Sequence, residues 1–323
     1  MIATPQPGDR IGSYRIDSLV TQGGMAAIFR ATDVRTGTPV AIKIPHPQYE
    51  ADVLFYDRFH READIGRKLD HPGVVKVLPD DKSGRVCMVM EWVEGRPLRK
   101  ILDEEKRLSP ERAERIAIRI CDALVYIHGH GIVHRDLKPD NIMVDDQDQI
   151  KLVDFGIAGE ARARRLTFAK FTKAMGTPDY VSPEQVKGKR GDARSDIYSL
   201  GVMLYEMLTG QVPFTEENPL AALNQRLLSP PPPPREIDPS ITPQLQEIIF
   251  RAMEREPVNR YQTARDFAHD LANPDQVGII DREEMNQNGL AHARGRKRAW
   301  SYVALALIPL AIFALLLLVA HSQ

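Results

Sequence analysis

Cysteine is scarce in this 323-residue chain: there are only two, Cys87 and Cys121. Both sit in apolar patterns, without metal-ligand spacing. That excludes a disulfide framework and a cysteine-based zinc site, makes a reducing compartment the default, and reads as two buried thiols rather than a nucleophile. An excess of charge of either sign is also missing, since 43 Lys and Arg face 44 Asp and Glu. The start, Met1-Ile2-Ala3-Thr4-Pro5, has no basic flank and no apolar core, so no signal peptide is expected there. Tandem repeats are absent. Setting aside a C-terminal tail leaves roughly 270 residues, enough for one large domain or two lobes, each with its own core.

What the chain does have is a dense polar stretch, His134-Arg135-Asp136-Leu137-Lys138-Pro139-Asp140-Asn141. It follows an amphipathic helical run, 111–128, and the turn Gly129-His130-Gly131. It precedes a short apolar run, Ile142-Met143-Val144, and a second one ending in Asp154-Phe155-Gly156. This is a loop between a helix and a hairpin, carrying acids, an amide and a lysine. The order His-Arg-Asp-x-Lys-x-x-Asn, with Asp-Phe-Gly thirteen residues later, resembles the catalytic and metal loops of eukaryotic-like protein kinases of bacteria. The resemblance implies an α+β, two-lobed kinase fold over about 10–272, with a β-rich N-lobe (about 10–90) and an α-helical C-lobe (about 96–272).

Phosphoryl transfer needs positioning and charge neutralisation more than covalent help. The resemblance makes Asp136 the group that orients the substrate hydroxyl and accepts its proton. Lys138 would neutralise the transferring phosphate, and in the family a lysine there accompanies Ser/Thr specificity. Asn141 and Asp154 are hard oxygen ligands suited to Mg2+, or alternatively Mn2+, bridging the phosphates of ATP.

Upstream, residues 11–20, 27–30 and 40–43 read as strands, as do 74–78 and 86–91. Between the first two lies Thr21-Gln22-Gly23-Gly24-Met25-Ala26, which is similar to the glycine-rich phosphate loop of kinases. Of the three places of G-x-G-x-x-G, occupied by Thr21, Gly23 and Ala26, only the middle one keeps its glycine, with Gly24 beside it. Weakened ATP affinity is the expectation. Lys43, in Val40-Ala41-Ile42-Lys43, matches the lysine that holds the α- and β-phosphates. Glu62, on a helical run over 52–69, matches its partner acid. Met90-Glu91-Trp92-Val93-Glu94-Gly95 matches the hinge, whose backbone would bind the adenine edge, with Met90 at the back of the pocket. Val20, Ile28, Ala41 and Met143 would sandwich the ring.

The segment from Asp154 to Glu184 matches the control element of kinases. Activation by autophosphorylation at Thr172 or Thr167 is expected, with Arg135 as a ready partner for the phosphate. Thr177 would support the substrate site. Ser182-Pro183-Glu184 ends the segment, with Arg260 as the partner of Glu184 and Asp196 as a brace for the catalytic loop. Pro230 to Pro234 reads as a loop between C-lobe helices.

After Leu271 helical periodicity stops, and 273–299 reads as a juxtamembrane linker. Ser301 to Ala320 is twenty residues without charge, the length needed to cross a hydrocarbon core of about 30 Å. Arg294, Arg296, Lys297, Arg298, Trp300 and Tyr302 are the expected interfacial anchors. A single transmembrane helix over 300–320 follows, in the cell inner membrane with the kinase domain cytoplasmic. Only His321-Ser322-Gln323 come after it, so no folded domain is expected beyond. The basic run beside the span reads as membrane flanking, and no nucleic acid is expected as partner.

The reading is therefore a membrane-anchored Ser/Thr protein kinase acting on protein substrates and on itself, with a homodimer suggested by analogy alone. Two other classes stand beside it: a membrane-tethered pseudokinase scaffold, which the altered glycines favour, and a small-molecule phosphotransferase, which Lys138, Gly176-Thr177 and Ser182-Pro183-Glu184 disfavour.

Overall fold

The computed structural model describes residues 4–49, 52–79, 86–154, 179–216 and 218–280. Met1–Val277 forms one compact unit and Gly278–Gln323 a second, of which only 278–280 is described. Among the described residues no helix is long and apolar enough to cross a membrane. The run 300–320 lies outside them, as do Thr167, Thr172 and Thr177.

The first part of the unit is a five-stranded antiparallel sheet in the order β1 to β5: Arg10–Ile11, Tyr14–Gln22, Ala26–Asp33, Pro39–Pro45 and Met88–Glu91. Period-two alternation decides which face is which. Along β4, Val40, Ile42 and Ile44 are buried while Ala41 and Lys43 are half-buried. The first set joins Ile16, Phe29, Ala31 and Val89 in a core of its own. Directly opposed residues share a face, so Ile28 and Met88 stand beside Lys43, and Met90 beside Ala41. Helix α1, Val53–Gly66, packs Phe59 and Ala63 into the other, larger core. Asp52 caps it, accepting a hydrogen bond from Phe55 N at 3.1 Å.

The chain then passes through Gly95, whose φ of +116° only glycine adopts readily. A Cβ there would stand 2.4 Å from the Val144 carbonyl oxygen. That close approach lays β6, Arg96–Pro97, against β7, Ile142–Val144, which pairs in turn with β8, Ile150–Leu152.

The rest is helical: α2 (Leu98–Glu105), α3 (Pro110–Gly129), α4 (Pro183–Val186), α5 (Ala193–Thr209), α6 (Pro219–Leu228), α7 (Pro234–Ile237), α8 (Pro243–Ala252) and α9 (Ala264–Ala272). Helix α3 begins as its sequence dictates: the Ser109 side chain accepts from Arg112 N, and Pro110 follows at the first helical position. Helix α5 is buried continuously from Ser195 to Thr209. It forms the axis on which the other helices pack, which explains why it has no exposed polar face.

One expectation changes. Residues 74–78 are not a strand; they make only isolated bridges, Val74 to Leu152 and Val77 to Met90. The β-branched run there is spent on burial between the sheet and α3, where Val74, Val75 and Val77 join the larger core. The proline run supplies the start of α7 at Pro234, consistent with a loop between helices.

Candidate active site

Lys43 is where the two halves of the unit meet. Its Nζ lies 3.1 Å from Glu62 Oε1 on α1 and makes a second ion pair with Asp154 beyond β8. Burial opposes the ammonium charge, but the carboxylates of Asp154 and Glu62 outweigh it and raise the lysine pKa. Burial also pushes the Asp154 carboxyl up; Lys43 overrides it and holds Asp154 below the usual carboxylate range. Glu62, almost fully buried, is driven upward by burial against the pull of Lys43.

Asp154 reaches this position through strain and through the main chain. Its φ is +60°, in the left-handed region. The residue before it, Val153, donates its N–H to Asn141 O at 2.9 Å. Asn141 ends a short turn, Pro139–Asn141, in the polar loop. Its Nδ2 donates to Asp136 O at 2.8 Å and approaches Asp136 Oδ2 at 3.4 Å. Lys138 Nζ stands 3.2 Å from the same Oδ2. Asp136, Lys138, Asn141 and Asp154 thus form one cluster, as the motif order predicts.

Asp196, fully buried at the start of α5, braces this loop from below. Its two oxygens accept from His134 N and Arg135 N, each at 2.8 Å, and His128 Nε2 lies 2.8 Å away. Such bracing offsets the positive φ of Arg135, +64°. Gln185 Nε2 donates to Arg135 O at 3.0 Å, tying α4 to the same loop.

The remaining predicted residues fall around the opening between β2, β4 and the hinge. Met90 is buried, while Ile28, Ala41, Val93 and Met143 are half-buried; Ile28, Ala41 and Met90 share the face of the sheet that carries Lys43. Val20 is 50% exposed. It sits at a bulge between Leu19 and Thr21, out of register with β3. Glu91 departs from the reading in part. Its N–H is spent on Lys76 O at 2.9 Å, so that amide is not offered to a base edge. Its side chain faces away, accepting from Lys76 N at 2.9 Å and Lys151 Nζ at 2.5 Å. In the loop between β2 and β3, Gly23 N donates to Ala26 O at 2.9 Å. Gly23 and Gly24 are exposed and Ala26 is buried, so its methyl is accommodated at the base of the turn.

Sequence reading missed two arginines that meet the segment before α4. Arg99 on α2 and Arg226 on α6 contact Tyr180 and Asp179. The one local signal was the place of Arg226, three and four residues after Leu223 and Ala222 and so on the helix face they bury.

The protein kinase domain family matches residues 14–272. A probable serine/threonine-protein kinase of Streptomyces coelicolor is 39% identical over 80% of this chain and 39% of its own length. The serine/threonine-protein kinase PknB of Mycolicibacterium smegmatis is 38% identical over 84% of this chain and 44% of its own. The chain thus spans about two fifths of the length of these curated relatives. The crystal structure of the PknI kinase domain of Mycobacterium tuberculosis superposes with a TM-score of 0.66 at 23% identity. It covers 84% of this chain and 100% of that one, showing the shared two-lobed fold.

Proposed function

This chain belongs to the protein kinase family, and on that footing we propose that it is a membrane-anchored Ser/Thr protein kinase. It transfers the γ-phosphate of ATP to Ser or Thr hydroxyls of proteins, its own control segment among them. The observation that carries this is Lys43, held between Glu62 and Asp154 in a site that also gathers Asp136, Lys138 and Asn141.

Lys43 binds the α- and β-phosphates, and Glu62 keeps its side chain extended toward them. Asp136 orients the attacking hydroxyl and takes its proton as oxygen bonds to the γ-phosphorus and the bond to the β-phosphate oxygen breaks. Lys138 offsets charge on the phosphate in transit. The family implies a divalent cation, and the donors present fit one. Asp154 is held ionised, and Asn141, its Nδ2 engaged by Asp136 O, keeps its amide oxygen as the remaining donor atom. When bound, Mg2+, or Mn2+ in its place, would neutralise the phosphates at these two oxygens. The adenine ring lies among Val20, Ile28, Ala41, Met90, Val93 and Met143, with the exposed Gly23 and Gly24 over the phosphates.

Thr167 and Thr172 are the proposed autophosphorylation sites, Thr177 supports the acceptor, and 300–320 anchors the chain in the inner membrane with residues 10–272 on the cytoplasmic side. Thr21, where the loop pattern calls for glycine, favours a second reading, a tethered pseudokinase. One experiment separates them: labelled ATP with Mg2+, the whole chain, and an Asp136→Asn control. Label on threonine in the parent and a loss of at least about 100-fold in the control supports the kinase. Nucleotide binding without any label in the parent leaves the scaffold.

A further inference from the structure

Asp179 and Tyr180 lie in the chain between Thr177, to which the proposed function assigns support of the acceptor, and the Ser182-Pro183-Glu184 mark. The C-lobe grips this two-residue turn through two separate helices. From α2, Arg99 Nη1 donates to Tyr180 Oη at 3.1 Å and to Glu206 Oε1 at 2.8 Å. Tyr180 Oη donates to the other oxygen of Glu206 at 2.5 Å, and Ser199 Oγ donates to Tyr180 O at 2.7 Å. From α6, Arg226 Nη2 donates to Asp179 O at 2.7 Å. Its guanidinium lies 5.8 Å from the centroid of Phe214 and hydrogen-bonds Tyr198.

Arg226 is 2% exposed. Burying a guanidinium is costly, and apolar residues of similar volume often replace buried ionic groups without loss of stability. A methionine would fill this space beside Phe214. What it cannot do is donate to a main-chain carbonyl from a fixed planar fork. The same holds for Arg99, whose fork joins a phenol and a carboxylate that belong to different elements. Each arginine therefore defines a position rather than filling a volume. The position is that of the turn from which the chain leads back to Thr177 and forward to α4, and α4 is tied to the catalytic loop through Gln185 and Arg135 O. The nucleotide side is held separately, by Lys43, Glu62 and Asp154 among themselves.

We propose that Arg99 and Arg226 are positioning residues for the protein acceptor: they clamp the Asp179–Tyr180 turn from two sides and govern acceptor binding without governing ATP binding. The proposal rests on the kinase reading above and adds the residues that shape its substrate side.

The test uses the 323-residue chain in detergent, with Arg99→Met, Arg226→Met and the conservative Arg99→Lys. The acceptor is whichever of dephosphorylated casein and the Asp136→Asn chain the unmutated protein labels faster. Each Met variant is expected to raise KM for the acceptor about tenfold, to leave KM for ATP within about twofold, and to melt near the parent, with Arg99→Lys recovering part of the loss. Unchanged acceptor KM in both Met variants overturns the proposal while the kinase reading stands. So does a parallel rise in both KM values with a lowered melting temperature, which marks a merely structural role. A parent that labels neither acceptor defeats the kinase reading and this inference with it.

Discussion

Two ion-pair clusters in this protein have similar distances and differ in what they do. Lys43 joins Glu62 and Asp154 where sheet, helix α1 and the end of β8 meet, and the side chain of Asp154 is 36% exposed. That pair holds charges for something else to use. Arg260 is the opposite case: its side chain is fully enclosed. All of its donors are engaged. Nη1 and Nη2 grip Glu184 at 2.9 and 2.7 Å, and Nε, Nη1 and Nη2 also donate to the carbonyls of Glu254, Arg194 and Arg255. Burial pushes the Glu184 carboxyl up, but the Arg260 hydrogen bonds override it and hold the carboxyl below its usual 4.5. A carboxylate with a depressed folded-state pKa adds stability that is present above about pH 4.5 and lost as pH falls through the lower folded value. Glu184→Gln is therefore expected to destabilise the protein by about 3–5 kcal/mol near neutrality, because Arg260 is left buried without its counter-charge. Its melting temperature should also fall less steeply than the parent's between about pH 5 and pH 3. Thermal melts across that range decide it: parallel curves would mean that Glu184 titrates as an ordinary surface acid.

Elements carried their sequence signals unevenly. Helix α3 was legible end to end, because its cap, its first proline and its apolar stripe all agree. The cluster of Asp136, Lys138, Asn141 and Asp154 was legible because the chemistry restricts residue types over a short stretch of loop. The run 74–78 was misread because β-branched residues buried between sheet and helix look like a strand. The arginine clamp was invisible for a different reason. Arg99 is 81 and 107 residues from its two partners, and Arg226 is 47 from its own, so no local pattern could connect them. The short crossing at Gly95 is intermediate: the motif marks Met90 to Gly95 as the hinge, but only the fold shows that Gly95 presses on β7. Gly95→Ala would combine a forbidden φ with a Cβ 2.4 Å from the Val144 oxygen. It is expected to cost about 1–3 kcal/mol and to weaken ATP binding, since Trp92 and Val93 are set by the same crossing. Denaturant unfolding and nucleotide titration together check this; an unchanged midpoint would show that the hinge can relax elsewhere.

At the scale of the whole molecule, the proposed nucleotide and acceptor roles rest on different parts of the 1–277 unit. Lys43 and Glu62 come from the sheet and α1, while the acceptor side is built on α2, α5 and α6. A catalytic unit of this kind gains specificity cheaply if its location restricts what it meets, and the sequence of the tail suggests how. Twenty uncharged residues from Ser301 to Ala320 would span about 30 Å as a helix, and the basic residues from Arg294 to Arg298 favour the side that stays in the cytoplasm. The expected outcome is that the chain sediments with membranes and resists washing with alkaline carbonate. A chain lacking 300–320 should stay in the supernatant with its Mg2+-dependent labelling intact. Protease added to intact spheroplasts should spare residues 10–272 and digest them after lysis. Release by carbonate would show that the basic run merely adheres to anionic lipid, and digestion before lysis would reverse the orientation. Retention by the truncated chain would place membrane contact on the kinase unit itself, so these fractions distinguish an anchor from an adhesive surface.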